Sequence, residues 1–275
     1  MKRIVCMLLL LFAYLSASSQ KAFEVKVTGS GKPILFFPGF ACTGELWKQT
    51  VQQLSHQYEC HVFTFAGFGQ VPAIDTPWLP VIKEQILSYV RDKQLKNTVV
   101  VGHSLGGTLG LWLAASSNLF KKIIAVDALP STGALMVPNF NPATMVYNNP
   151  YSNQMLKMDS AAFLTMVKQM AGGMMLQQQH VPQVVNWMMQ CDRKTYVYGY
   201  IDLLKLDLRQ SIANIQIPVV ILAATHPNKN TVQQTYTAQY AKLPNKHFEY
   251  ADQSAHFIMY DQPEWLIRQL KNHLD

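Results

Sequence analysis

One serine in this chain is placed as if for chemistry. Residues 102–107 read Gly-His-Ser-Leu-Gly-Gly and follow the apolar run 99–101 directly. Gly102 stands two residues before Ser104, and Gly106 two residues after it. A sharp turn from strand into helix forces its apex residue into a strained backbone conformation. The positions two before and two after must then be small to avoid collision. The apex hydroxyl is thrust out at the carboxyl end of the sheet. The first N–H groups of the next helix point at the same spot, and the helix dipole favours an anion there. Ser104 is therefore a candidate nucleophile; the alternative is a glycine-rich packing turn around a buried serine. A hydroxyl is barely ionised at neutral pH and needs a base, and the chain offers eight histidines.

The elements that must position Ser104 can be read from the pattern on either side. Residues 23–28 alternate apolar and polar, as a half-buried strand does, and 34–37, 60–65, 98–101 and 123–126 read as further strands. Helical spacing marks 45–54, 80–95 and 105–116, with Pro80 acceptable in a first turn. Strands alternating with helices call for a mostly parallel, doubly wound α/β sheet. The runs ILFF, VVV and IIAV suit strands buried on both faces. The pattern then changes. Ten of the thirteen methionines fall between Met136 and Met189, with helical pieces at 160–170 and 181–189. Alternation resumes with a strand at 219–223, a helix at 231–241, a strand at 247–250 and a helix at 264–274. Residues 21–127 and 209–275 thus read as two parts of one domain, interrupted by a helical insertion at 128–208.

The first twenty residues read as a signal peptide rather than as part of the fold. Lys2 and Arg3 precede the apolar run 4–15, and small or polar residues fill 16–20. The run is about a dozen residues, short of the roughly 20 that span a bilayer. The expectation is an exported protein, periplasmic or secreted, cleaved near 19–21 and without a stable membrane span. The formal net charge of +7 is scattered without runs of like sign, so no nucleic-acid footprint is visible. Beyond the leader, Cys42, Cys60 and Cys191 fit no metal spacing. They leave open one disulfide, with Cys42 and Cys60 nearest in sequence, or three buried thiols.

With these residues in view, the chain resembles the α/β-hydrolase superfamily, specifically its members with a helical cap. GHSLGG at 102–107 matches the family's nucleophile elbow. Phe37-Pro38-Gly39-Phe40 stands where the family has His-Gly-x, Phe65-Ala66-Gly67-Phe68-Gly69 resembles its next turn, and Ala255-His256-Phe257 resembles its histidine motif. The resemblance runs from about Phe23 to the end, the cap excepted. It implies His256 as the base, with His226 competing, and His103 turned away from the site. It also implies a backbone oxyanion hole from the N–H groups of Phe40 and Leu105. A backbone donor tolerates the change from the family's His to Pro38.

The acid is where the chain departs from the family. Residues 224–230, after the strand that usually carries it, contain no Asp or Glu. Some members place the acid one strand earlier, where this chain has Asp127. Neighbouring strand ends lie about 5 Å apart, so a carboxylate on either reaches the same histidine. Asn228 is the alternative, although an amide cannot stabilise imidazolium with charge. Asp252 is expected only to cap a turn.

The function these residues imply is cleavage of a carboxylic ester, lactone, thioester or amide through an acyl-enzyme on Ser104, without metal or cofactor. The cap is poor in charge and rich in Met and aromatics, which suggests a small-molecule substrate with an apolar or aromatic acyl group. Most of those cap side chains are expected to be the cap's own core. The alternatives are a non-catalytic ligand-binding protein, or an aminopeptidase or acyltransferase of the same fold. An aminopeptidase should offer a carboxylate for the substrate's amine, and the cap's few acids, such as Asp159, Asp192 and Asp202, form no obvious cluster.

Overall fold

Strands that are apolar throughout must be buried on both faces, and here they form the middle of one sheet. The structure, a computed structural model, describes residues 20–274. The expected leader therefore lies outside the described residues, Gln20 excepted. The seven strands are β1 (Phe23–Thr28), β2 (Lys32–Phe37), β3 (Tyr58–Phe65), β4 (Thr98–His103), β5 (Phe120–Val126), β6 (Val219–Ala224) and β7 (Lys246–Ala251). They lie in the order β1-β3-β2-β4-β5-β6-β7. Only β1 runs antiparallel to its neighbour; the other pairings are parallel. β4, which delivers Ser104, sits in the centre with every residue buried. The half-exposed β1 forms an edge, as its alternating sequence demands.

Helices cover both faces. In Trp78–Asp92 the buried positions Leu79, Ile82, Ile86, Leu87 and Val90 fall at helical spacing. The helix begins two residues before Pro80, which its first turn accepts. Leu105–Ser116 is apolar nearly all round because it packs between the sheet and its neighbours. Trp47, Trp78, Phe36, Phe37, Phe63 and Phe65 are fully buried at the heart of the core.

Between β5 and β6 the chain makes the helical cap: Thr132–Met136, Pro150–Lys157, Ser160–Gly173, Val181–Gln190 and Arg193–Lys205. Asn149, Asp159 and Asp192 start three of these helices by accepting backbone N–H groups. Phe163, Trp187 and Tyr196 are buried, so they serve as cap core. The cap is bonded to loops at the carboxyl ends of the strands: Asp192 N–H to Gly67 O at 2.8 Å and Phe257 N–H to Met174 O at 3.2 Å. Cys42, Cys60 and Cys191 are buried free thiols, so the disulfide between Cys42 and Cys60 is not formed.

Candidate active site

Ser104 alone separates the last residue of β4 from the first residue of the helix Leu105–Ser116. Its φ of 52° and ψ of −119° put it in the backbone region that favours glycine. Such a conformation costs on the order of 1–3 kcal/mol and persists only where the surroundings fix it. Two backbone bonds do so, Ser104 N–H to Val126 O at 2.9 Å and Thr108 N–H to Ser104 O at 3.0 Å. The flanking glycines are required by backbone contact. A Cβ on Gly102 would lie 2.2 Å from Gly106 O, and one on Gly106 would lie 2.5 Å from Phe37 O and 2.7 Å from Pro38 O.

The absence of a side chain at Gly106 therefore lets the loop after β2 lie against the elbow. Phe40 is in that loop. Its N–H donates to no acceptor among the described residues. Leu105 opens its helix, so its N–H has no carbonyl one turn earlier within that helix. The Phe40 ring packs on Phe68, Trp78, Tyr196 and Tyr200 at centroid distances of 5.4, 6.2, 5.5 and 5.2 Å. Its side chain thus touches the cap.

Beside the elbow, His256 Nδ1 lies 2.6 Å from Asp127 Oδ2. Asp127 follows β5 with a φ of 44° and is anchored by its own N–H to Leu222 O at 2.8 Å. Its Oδ1 accepts from Ala224 N–H at 2.9 Å and from Tyr236 O–H at 2.8 Å. Burial alone would raise the Asp127 pKa. The hydrogen bond and charge of His256 outweigh it, aided by Ala224 and Tyr236, and hold the carboxyl below its ordinary value. Burial, with the Asp127 charge, pushes the Tyr236 hydroxyl well above its ordinary pKa, so it stays a donor.

His103 departs from expectation. Its ring packs 4.5 Å from the His256 ring, and its Nε2 lies 2.9 Å from the His256 carbonyl oxygen. Burial first, then the neighbouring His256, pushes its pKa down to about 3. Neutral His103 therefore donates from Nε2 to that carbonyl and ties the loop that carries His256 to the end of β4. The other candidates are occupied elsewhere. Asn228 caps the helix Lys229–Gln239 through Thr231 N–H at 3.1 Å and makes no bond to His256. His226 is exposed, and Asp252 pairs with Lys229 at 2.8 Å on the surface. The geometry thus pairs His256 with Asp127 and leaves Asn228 out. Tyr236 was not legible as a site residue, because it reaches Asp127 across the fold and belongs to no local motif. Among the described residues one grouping has metal-ligand proximity, His247 with Glu249 and His273, and it shares no residue with this site.

The arrangement has known counterparts. Residues 34–269 match the model of the alpha/beta hydrolase family, and the chain belongs to that family. A pimeloyl-[acyl-carrier protein] methyl ester esterase of Vibrio cholerae is 28% identical over 110 residues, covering 40% of this chain and 42% of the relative. The match thus spans about two-fifths of that relative's length. Among solved structures, the enol-lactonase from Burkholderia xenovorans LB400 superposes with a TM-score of 0.77 at 12% identity, covering 92% of this chain and 96% of the other. A thermophilic esterase from Thermogutta terrifontis gives a TM-score of 0.78 at 14% identity, with 92% of each chain covered. At such identities the structural likeness speaks for the fold.

Proposed function

Taking membership of the alpha/beta hydrolase family as the premise, we propose that the protein is a serine hydrolase acting on carboxylic esters. The observation that carries this reading is the 2.6 Å contact between His256 Nδ1 and Asp127 Oδ2 beside a serine held at a strained elbow. The ester chemistry named for the Vibrio cholerae relative supports the same class.

In this mechanism Ser104 Oγ attacks the ester carbonyl carbon while His256 Nε2 takes the hydroxyl proton. The carbonyl π electrons move onto oxygen, where the N–H groups of Phe40 and Leu105 receive the charge. The intermediate collapses, the alkoxy group leaves with the proton from His256, and the acyl group stays on Ser104. Water then attacks the acyl-enzyme by the same route, and the acid leaves. Asp127 orients the imidazole and stabilises its cation; it does not take the proton.

The substrate is proposed to carry an apolar or aromatic acyl group, since the half-buried rings of Phe40, in the loop against the elbow, and Tyr200, on the cap, meet at 5.2 Å. An aminopeptidase reading loses support because the four acids of residues 128–208 are already engaged, Asp207 by Arg209 at 2.7 Å. Asp159 and Asp192 cap helices, and Asp202 accepts from Leu79 N–H and Tyr147 O–H. Export rests on the sequence of residues 1–20, and the N-terminus of the cell-made protein, read by mass spectrometry, tests it.

The deciding experiment is labelling with a fluorophosphonate, followed by mass mapping. An adduct on Ser104 that Ser104→Ala abolishes supports the hydrolase. A folded protein that takes no adduct moves the assignment to a non-catalytic ligand-binding member of the fold.

A further inference from the structure

Asp261 is buried, with 6% of its surface exposed, at the end of the short helix Ile258–Asp261. Its carboxylate is bonded to main chain on two separate segments. Oδ1 accepts from Leu176 N–H and Gln177 N–H, both at 2.9 Å. Oδ2 accepts from Ala255 N–H at 2.8 Å. The first two donors belong to the cap, in the turn after the helix Ser160–Gly173. The third immediately precedes His256.

A buried carboxylate is costly to desolvate, and an apolar residue would fill the same space without that cost. What the carboxylate adds is a fixed distance between two backbones. The residue after His256 is tied to the same stretch of cap, Phe257 N–H to Met174 O at 3.2 Å. His256 is therefore bracketed, one bond before it and one after it reaching residues 174–177.

We propose that Asp261 is a positioning residue that couples the cap to the base. A shift of the turn at 174–177 is carried through Asp261 to Ala255 and so to the alignment of His256 with Asp127. The reactivity of Ser104 then depends on where the cap sits, and an acyl group that holds the cap in place also aligns the base. This rests on the reading of His256 as the base of Ser104.

The test is the second-order rate of fluorophosphonate labelling of Ser104 as a function of pH, far below the melting temperature, in the full mature chain. Asp261→Asn keeps the shape but turns an NH2 group toward an N–H or loses a cap bond. Labelling is expected to slow about tenfold or more, a loss on the scale of misaligned catalytic groups. The pH profile of labelling is expected to change with it, because the bracket holds the contact between His256 and Asp127. Gln177→Pro removes one cap-side donor at a φ of −81°, which proline accepts, and is expected to slow labelling less, in the same direction. It carries the test alone if Asp261→Asn does not fold. Variants that melt lower yet label at the parent rate with an unchanged pH profile overturn the coupling and leave Asp261 a purely structural residue. A parent protein that does not label at Ser104 overturns the underlying reading, and the coupling falls with it.

Discussion

Asp127 and His256, 129 positions apart in sequence, are joined by a 2.6 Å contact between Oδ2 and Nδ1. The remaining Asp127 oxygen is fully used by Ala224 and Tyr236, so the carboxylate cannot rotate without breaking three bonds. Replacing it by Asn keeps the shape and removes the charge that favours imidazolium. Asp127→Asn is expected to lower turnover of a p-nitrophenyl ester by about 10³–10⁴-fold with the fold intact. Near-parental turnover would remove Asp127 from the mechanism.

Tyr236→Phe deletes one bond to Asp127 Oδ1 and leaves its Ala224 bond in place. The expected cost is about 1–2 kcal/mol of stability at pH 7 in urea unfolding. The folded-state Asp127 pKa rises toward its unfolded value. A carboxyl with a depressed folded pKa stabilises above its unfolded pKa and loses that contribution as pH falls through the folded one. The variant should therefore show less pH-dependent loss between about pH 4 and the acid transition than the parent does. An unchanged acid profile would mean that Tyr236 does not act on this carboxylate.

Gly106→Ala sets a methyl group against two backbone carbonyls, which cannot turn aside as a side chain does. Overpacking of this kind costs about 1–3 kcal/mol. The loop bearing Phe40 is the part that must move. Ester turnover should fall by about 10²-fold or more, as when an oxyanion donor is lost. A variant that is destabilised but fully active would separate the Phe40 loop from the chemistry.

His103 has a folded pKa lowered to about 3, against roughly 6.5 unfolded. Below about pH 6.5 the unfolded chain binds a proton that the folded chain refuses. Stability is thus expected to fall from that pH downward, by at most about 1.4 kcal/mol per pH unit from this group. His103→Gln, which offers an amide donor of similar reach, should flatten the slope between pH 6.5 and 4. Equal slopes in guanidinium titrations of the two proteins would rule this out.

Burial pushes the thiol of Cys42 up to about 12 and that of Cys60 up to about 11, and Cys191 rises for the same reason. Cys42, Cys60 and Cys191 of the native protein are expected to react slowly with a disulfide reagent at pH 8 and to become available only on unfolding. Rapid reaction in the folded state would contradict this burial.

The strands, the elbow and the histidine loop were legible because each is specified locally. A run such as VVV ahead of Gly-x-Ser-x-Gly states both an element and its ending. The cap helix Arg193–Lys205 was not, since its aromatic sequence, broken by Gly199, has no clear polar face. Gly199 makes sense only against the Trp78 ring, 3.1 Å from where its Cβ would be. The acid could be narrowed to Asp127 or Asn228 but not chosen, because the choice lies in which strand end the His256 loop faces. Tyr236 reaches Asp127 across 109 positions and Asp261 reaches the cap across 84 and 85, and no local pattern marks such pairings.

Phe40 divides into two halves that evolution or an engineer can treat separately. Its amide belongs to the main chain, in the loop whose Phe37 and Pro38 carbonyls close on Gly106, and is the same for any residue except proline. Its ring, packed on Phe68, Trp78, Tyr196 and Tyr200, is the part that a substitution alters. Under the proposed chemistry, position 40 is thus a site where acyl preference can be retuned, to a smaller or a more polar group, while the charge-stabilising donor stays constant. A library at this single codon samples new substrates without spending the activity needed to detect them.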